Sequence, residues 1–172
     1  MNLRKNILSA LLIAIGFILH QIVPGVIGGM KFDIMLAMVF IILFINQDFK
    51  NALVTALLSG IITAMTTTFP GGQIPNIIDK LVTCIVVYFM IKIARKFAHK
   101  NIVICIVSFI GTIISGSVFL YSASILVGLP VPFKGLFMGI VLPTSVTNIF
   151  ITLFMYKIVM FALKISRIKL VN

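Results

Sequence analysis

The chain has 172 residues, of which 61% are hydrophobic and only 10% charged, and its 14 Lys and Arg against 3 Asp give a formal charge of +11. Hydrophobic runs recur along the whole length, which excludes a soluble domain and indicates a protein that crosses a membrane several times. The basic residues stand at the ends of these runs and not on an amphipathic face, so the charge indicates membrane topology and not nucleic-acid binding.

Six hydrophobic segments are predicted to form six transmembrane helices in one all-α domain that covers residues 1–172. They lie near residues 6–24, 32–46, 51–66, 75–94, 101–127 and 135–163. Arg4 and Lys5 precede the first segment as in a secretory signal, but the apolar run reaches Val23 without a convincing cleavage site. That pattern favours a transmembrane helix.

The second and fourth segments have short apolar cores, at residues 34–45 and 81–91. Both cores are shorter than the roughly 20 residues that cross the hydrocarbon of a bilayer. They can span it only if their polar flanks, residues 31–33 and 76–80, also enter the membrane depth and are shielded there by protein.

The distribution of basic residues predicts the orientation. An even number of helices places both termini on one side, and the positive-inside rule assigns that side to the cytoplasm, giving an N-in, C-in topology. The inner side would then carry Arg4, Lys5, Lys50, Lys92, Arg95, Lys96, Lys100, Lys157, Lys164, Arg167 and Lys169. The outer side keeps only Lys31, Lys80 and Lys134.

Three predicted outer loops, at residues 24–33, 66–76 and 128–134, are rich in Pro and Gly and lie next to most of the outer polar residues. Opposite charges there come close to balancing, so a pocket built from them suits a zwitterion. An ionisable residue at membrane depth also marks a ligand or ion path. The candidate binding residues near these loops are Lys31, Asp33, Gln73, Asn76, Asp79 and Lys80. Asn148 in the last helix is a further candidate, because it is costlier to bury than the Thr and Ser residues beside it.

Structural alternatives remain open for these residues. Asp79 stands early in the fourth helix, where a carboxylate can complement the helix dipole and pair with a neighbouring Lys. Asp33 likewise begins a helix, and Lys31 can extend to the membrane interface.

Two stripes of small residues predict close helix packing. Ala10 and Ala14 share one face of the first helix, and a longer stripe follows in the third at Ala52, Ala56, Gly60 and Ala64. At least one of the two stripes must serve packing within the chain.

Enzymatic motifs are missing from the sequence. It has no nucleotide-binding GxxxxGK[ST] loop, no metal-ligand spacing and no organised nucleophile–base set. We therefore expect a protein that is not an enzyme, holds no metal or cofactor, and cannot hydrolyse ATP itself. Energy for transport would come from an ion gradient or from a partner subunit.

A small six-helix chain of this kind resembles the substrate-binding (S) components of energy-coupling-factor transporters. More specifically, three parts of the sequence resemble the bacterial tryptophan transporter family, and the resemblance spans nearly the whole chain. These parts are ILHQIVPG with GGMKFDIMLAMVF, then TALLSGIITAMTTTFPGGQIPNIIDK, then GTIISGSVFL.

The resemblance implies a multi-pass protein of the bacterial cytoplasmic membrane that binds L-tryptophan in an outward-facing pocket. The last three helices and the outer loops form that pocket in S components. It also implies delivery by toppling among the membrane lipids against a transmembrane coupling (T) subunit that two ATPase subunits drive. The family often contacts this subunit through an AxxxA motif on the first helix, here Ala10 and Ala14, although this chain has only one such unit.

Tryptophan requires a cation or helix N-terminus for its carboxylate, a carboxylate or carbonyls for its ammonium, and a flat apolar slot with one acceptor for its indole. Lys31 or Lys80, Asp79 or Asp33, and Gln73, Asn76 or Asn148 could fill the polar roles. Phe69, Tyr121 and Phe133 could wall the ring.

Two other functions stay open. One is a solitary proton-coupled amino-acid transporter that uses Asp79 as its relay. The other is a non-transporting membrane subunit whose polar patches only hold helices together.

Overall fold

The computed structural model describes residues 3–96 and 99–165, so that Arg167 and Lys169 of the predicted inner side lie outside the described residues. These ranges form six helices and no strand. The helices are α1 (Leu3–Ile22), α2 (Met35–Ile45), α3 (Phe49–Met65), α4 (Gln73–Ala94), α5 (Lys100–Leu126) and α6 (Phe133–Ile165). By length and composition α1, α5 and α6 can each cross a membrane. The predicted all-α, multi-pass membrane architecture is confirmed.

Helix α2 lies at the centre of the bundle. Its residues from Met35 to Phe44 are all at most 2% exposed, and it contacts each of the other five helices. A helix that is apolar on every side is stable only when every side is covered. Its short length follows from this position, because α2 meets protein and not lipid.

Both ends of α2 are held by hydrogen bonds. At its start the Asp33 carboxylate accepts the Leu36 backbone N–H at 3.2 Å. At its end the Arg95 guanidinium donates to the Phe44 carbonyl at 2.6 Å and lies over the Phe44 ring. These contacts supply partners for backbone groups that a helix terminus leaves free.

The other five helices surround α2 in the order α1, α3, α4, α5, α6, each packing on the next. Within the described residues α1 and α6 do not contact each other. The small residues of α3 are buried, and a Cβ at Gly60 would lie only 3.2 Å from the Ile77 Cα of α4. The α3 stripe therefore serves packing within the chain. Ala10 and Ala14 lie exposed on α1.

The three loops predicted to face outward pack together at one end of the bundle. Thr68 donates from its hydroxyl to the Gly29 carbonyl at 2.6 Å. Gly29 has a φ of +79°, and a Cβ there would lie 2.6 Å from the Thr68 carbonyl oxygen. Both facts require glycine at this loop contact.

Two separate apolar clusters stabilise the bundle. The main cluster surrounds α2, and a smaller outer cluster joins the loops to the ends of α5 and α6. The outer cluster comprises Met30, Phe69, Phe119, Leu120, Ala123, Leu136, Ile140 and Val141.

Candidate functional site

A cavity of about 550 Å³, counting its open mouth, is walled partly by the outer cluster and partly by charged and polar residues. One part of the wall is polar and includes His20, Lys31, Asp33, Asn76, Asp79 and Thr112. The other part is apolar and includes Met30, Phe69, Phe119, Ile140 and Val141.

Three charged side chains form a cluster at the polar wall, in which Lys80 and Asp79 are buried and Asp33 is half-buried. The Lys80 Nζ lies 2.5 Å from one carboxylate oxygen of Asp33 and 2.5 Å from one of Asp79. Lys80 is fully buried and Asp79 is 2% exposed. One ammonium between two carboxylates leaves the cluster with a formal charge of −1. Such a group is stable away from water only because each charge has a close partner.

The contacts of Asp79 fit both interpretations that the sequence left open, an ion pair at the start of a helix and a place in a binding site. Its second carboxylate oxygen accepts the Thr83 hydroxyl at 2.8 Å, one helical turn further along α4. It pairs with the neighbouring Lys80, as the structural alternative requires, and it also lines the cavity. The polar residues Asn76, Asp79 and Lys80 near the start of α4 are therefore shielded by protein.

Asp33 is fixed through its backbone as well as its carboxylate. The Asn148 amide of α6 donates to the Asp33 carbonyl and to the Thr112 hydroxyl of α5, each at 3.1 Å. Asn148 itself is fully buried behind the wall. One amide thus ties the start of α2 to α5 and α6 beside the cavity.

Lys31 supplies a second positive charge. It is half-buried, and its Nζ donates to the Thr66 carbonyl at the end of α3 at 3.1 Å. The two Lys and two Asp of the site balance to zero formal charge. A zwitterion therefore matches the site better than a simple cation or anion.

The apolar wall contains an aromatic pair and a narrow approach between α5 and α6. The Phe69 and Phe119 rings meet edge to face with centroids 5.3 Å apart. Opposite lies a π-helical turn of α6, Phe137–Val141, and a Cβ on Gly116 would lie 2.5 Å from a Val141 methyl carbon. Such turns occur often at functional sites, because they redirect side chains.

Most of the predicted site residues come together in the structure. Lys31, Asp33, Asn76, Asp79 and Phe69 line the cavity, while Lys80 and Asn148 bond to its wall from behind. Gln73, Tyr121 and Phe133 are exposed, and the structure places them outside the cavity wall.

Further cavity residues were not among the predicted ones. They are chiefly His20 of α1, Thr112, Ser115, Gly116 and Phe119 of α5, and Thr144 of α6. The small and hydroxyl residues of α5 are of the types that commonly serve helix packing in membranes. Their spacing of three and four residues does place them on one helix face, but it does not say what that face meets.

Comparison with known proteins gives a consistent result. The family model described as "Tryptophan transporter TrpP" matches residues 2–164. A "Probable tryptophan transport protein" of Clostridium acetobutylicum is 47% identical over 148 residues, covering 86% of each chain. Proteins of the same name from Clostridium perfringens and Bacillus subtilis are each 43% identical, covering 92% and 96% of this chain and 94% and 96% of their own. No solved structure matches the chain. The family and these relatives are named as transport proteins and not as enzymes.

Proposed function

This chain belongs to the tryptophan transporter family, and from that premise we propose that it binds L-tryptophan in the cavity and carries it across the bacterial membrane. The observation that carries the substrate assignment is the division of the cavity wall. Balanced charges stand on one part and an aromatic, apolar surface on the other. An α-amino acid with a large flat side chain has the same division.

Each part of the substrate has a matching group in the wall. The ammonium fits the carboxylates of Asp33 and Asp79, whose cluster carries a net negative charge. The carboxylate fits Lys31, which lies outside that cluster. The indole fits the apolar wall of Phe69 and Phe119, since aromatic rings favour edge-to-face neighbours.

Binding can be measured directly because the chain contains no Trp. Bound L-tryptophan would be the only indole in the purified protein, so its fluorescence emission reports its own surroundings. We expect a blue shift on binding and a rise in thermal stability of about 2.7 kcal/mol at 100 times the dissociation constant. L-leucine at the same concentration is the control. A thermal midpoint that saturating L-tryptophan leaves unchanged would refute the assignment.

The transport mechanism we propose is that of an S component, which a T subunit and two ATPase subunits energise. Support comes from α1, where Ala10 and Ala14 form an exposed strip that lets another helix approach closely. Ala10→Leu should weaken co-purification with the T subunit and leave tryptophan affinity unchanged. Ala162→Leu, at an exposed alanine of α6, is the matched control. Equal recovery of the T subunit with both variants would contradict the role of α1.

Transport by a solitary, proton-coupled protein is the competing mechanism. It predicts uptake of tryptophan into vesicles that contain this chain alone, and that an uncoupler abolishes the uptake. The S-component mechanism predicts uptake only when the coupling and ATPase subunits are present and ATP is supplied. The vesicle experiment therefore separates the two mechanisms without any variant.

A further inference from the structure

His20 is the one imidazole in the cavity wall, and it lies next to the Asp33 carboxylate of the ion cluster. It lies near the end of α1 and is 6% exposed. Its Nδ1 is sealed from solvent and has no hydrogen-bond partner in the described part of the chain. A buried polar atom without a partner costs about 1–3 kcal/mol, so the arrangement calls for an explanation.

The Asp33 carboxylate determines which ring nitrogen of His20 holds the proton. Nδ1 lies 3.8 Å from the nearer carboxylate oxygen of Asp33, slightly beyond hydrogen-bond length. A carboxylate beside Nδ1 favours the proton on that nitrogen in the neutral imidazole, and the other nitrogen then holds a lone pair. We assign the tautomer on this ground. With Nδ1 protonated and sealed from solvent, Nε2 is the nitrogen left to accept a hydrogen bond in the cavity that His20 lines.

The substrate offers two kinds of donor to such an acceptor. The substrate's ammonium is drawn to the carboxylates of Asp33 and Asp79 and not to the imidazole, because the carboxylates are charged and the imidazole is neutral. The indole N–H then remains, and it needs one acceptor within an otherwise apolar slot. The Thr144 hydroxyl also lines the cavity, but it is bonded to the Ile140 carbonyl and is a weaker base than imidazole.

We propose that His20, held in its tautomer by Asp33, accepts the indole N–H and thereby sets the preference for tryptophan over aromatic amino acids that lack this donor. The proposal rests on the proposed function, because it names the group that reads the substrate's ring. A ring without the N–H would leave the His20 lone pair unpaired in a closed site, and that loss is the source of the preference.

The test compares L-tryptophan with 3-benzothienyl-L-alanine, whose sulfur replaces the indole N–H in a ring of nearly the same shape. Affinities are measured by calorimetry on the full-length purified protein. In the unmodified protein L-tryptophan should bind about 10-fold tighter or more, the range that one unpaired buried group produces. His20→Leu should remove the difference by weakening the binding of L-tryptophan, while the affinity of the analogue stays within about twofold of its value in the unmodified protein. His20→Gln, which keeps an acceptor oxygen, should retain part of the preference.

Thr147→Val is the control, since it removes an exposed hydroxyl of α6 outside the cavity wall and should leave the preference unchanged. A merely structural role of His20 would weaken both ligands equally, and that result would overturn the proposal. Equal affinity of the two ligands for the unmodified protein would overturn it without any variant, while the proposed function would stand. Failure of L-tryptophan itself to bind would instead refute the proposed function.

Discussion

Lys80→Met is the most informative perturbation of the ion cluster. The ammonium of Lys80 is fully buried and is the only lysine group within hydrogen-bond distance of the Asp33 and Asp79 carboxylates among the described residues. Methionine keeps most of the side-chain volume but leaves two carboxylates without their counter-charge. Removing one member of a buried ion pair costs about 3–5 kcal/mol, and we expect a loss of at least that size here.

The assay is thermal unfolding in detergent, followed by circular dichroism. For a chain of this length about 1 kcal/mol corresponds to about 2–4 °C, so the midpoint should fall by about 6–20 °C. Lys92→Met makes the same change at an exposed position of α4 and should alter stability by no more than about 0.5 kcal/mol.

A second variant tests the cause of the loss. Asp79→Asn removes one of the two carboxylates, so adding it to Lys80→Met should recover part of the stability. Asp79→Asn alone should cost less than Lys80→Met, because Lys80 keeps its partner Asp33. If the free energy of unfolding of Lys80→Met lies within about 1 kcal/mol of that of the unmodified protein, the charges are not buried as described, and the reasoning on the site is wrong.

Two further predictions concern the cavity itself. Gly116→Ala should destabilise the protein by about 1–3 kcal/mol and weaken tryptophan binding, because the new methyl would force Val141 of the cavity wall to move. Thermal unfolding measures the first effect and calorimetry the second. A variant that is destabilised but binds tryptophan with unchanged affinity would show that the indole does not lie against Val141. Tryptamine, which lacks the carboxylate, should compete with tryptophan better than indole-3-propionate, which lacks the ammonium; the reverse order in a competition assay would contradict the assignment of the ammonium to Asp33 and Asp79.

The fold could be predicted largely from the pattern of hydrophobic runs. Each helix lies within a few residues of its predicted segment, because the run length and its polar ends follow directly from the bilayer. The central position of α2 was only indicated, through its short apolar core from Ile34 to Ile45. That five other helices would cover it depends on contacts between distant segments, which no single run encodes.

The charged part of the site was predictable for a related reason. Asp33 and Asp79 are two of only three acidic residues in the chain, and charge at membrane depth requires a partner nearby, here Lys80. The aromatic assignments were less successful, since Tyr121 and Phe133 are exposed. Phe is abundant here, and the sequence does not state which of its rings points inward at a loop.

The hydroxyl residues of the cavity could not be distinguished from structural ones. Thr112 donates to the Ser108 carbonyl and Thr144 to the Ile140 carbonyl, the same bonds that hydroxyls make throughout membrane helices. The difference lies only in the space on their other side. The burial of His20 could not be predicted for a similar reason, because it depends on the loop that contains Asp33.

The charge of the site explains why binding a zwitterion would be favourable, although burying charge is usually unfavourable. Asp33, Asp79 and Lys80 together leave one negative charge without compensation, and Lys31 holds a positive charge apart from it, with its Nζ bonded to the Thr66 carbonyl. A substrate ammonium would neutralise the first, and a substrate carboxylate would meet the second. Of the two carboxylates Asp79 is the more deeply enclosed, at only 2% exposed, whereas Asp33, like Lys31, is half-buried. Attraction between charges strengthens as water is excluded, so the ammonium contact should contribute more to the binding free energy than the carboxylate contact. Tryptamine, which keeps the ammonium, should for this reason compete better than indole-3-propionate, which keeps the carboxylate.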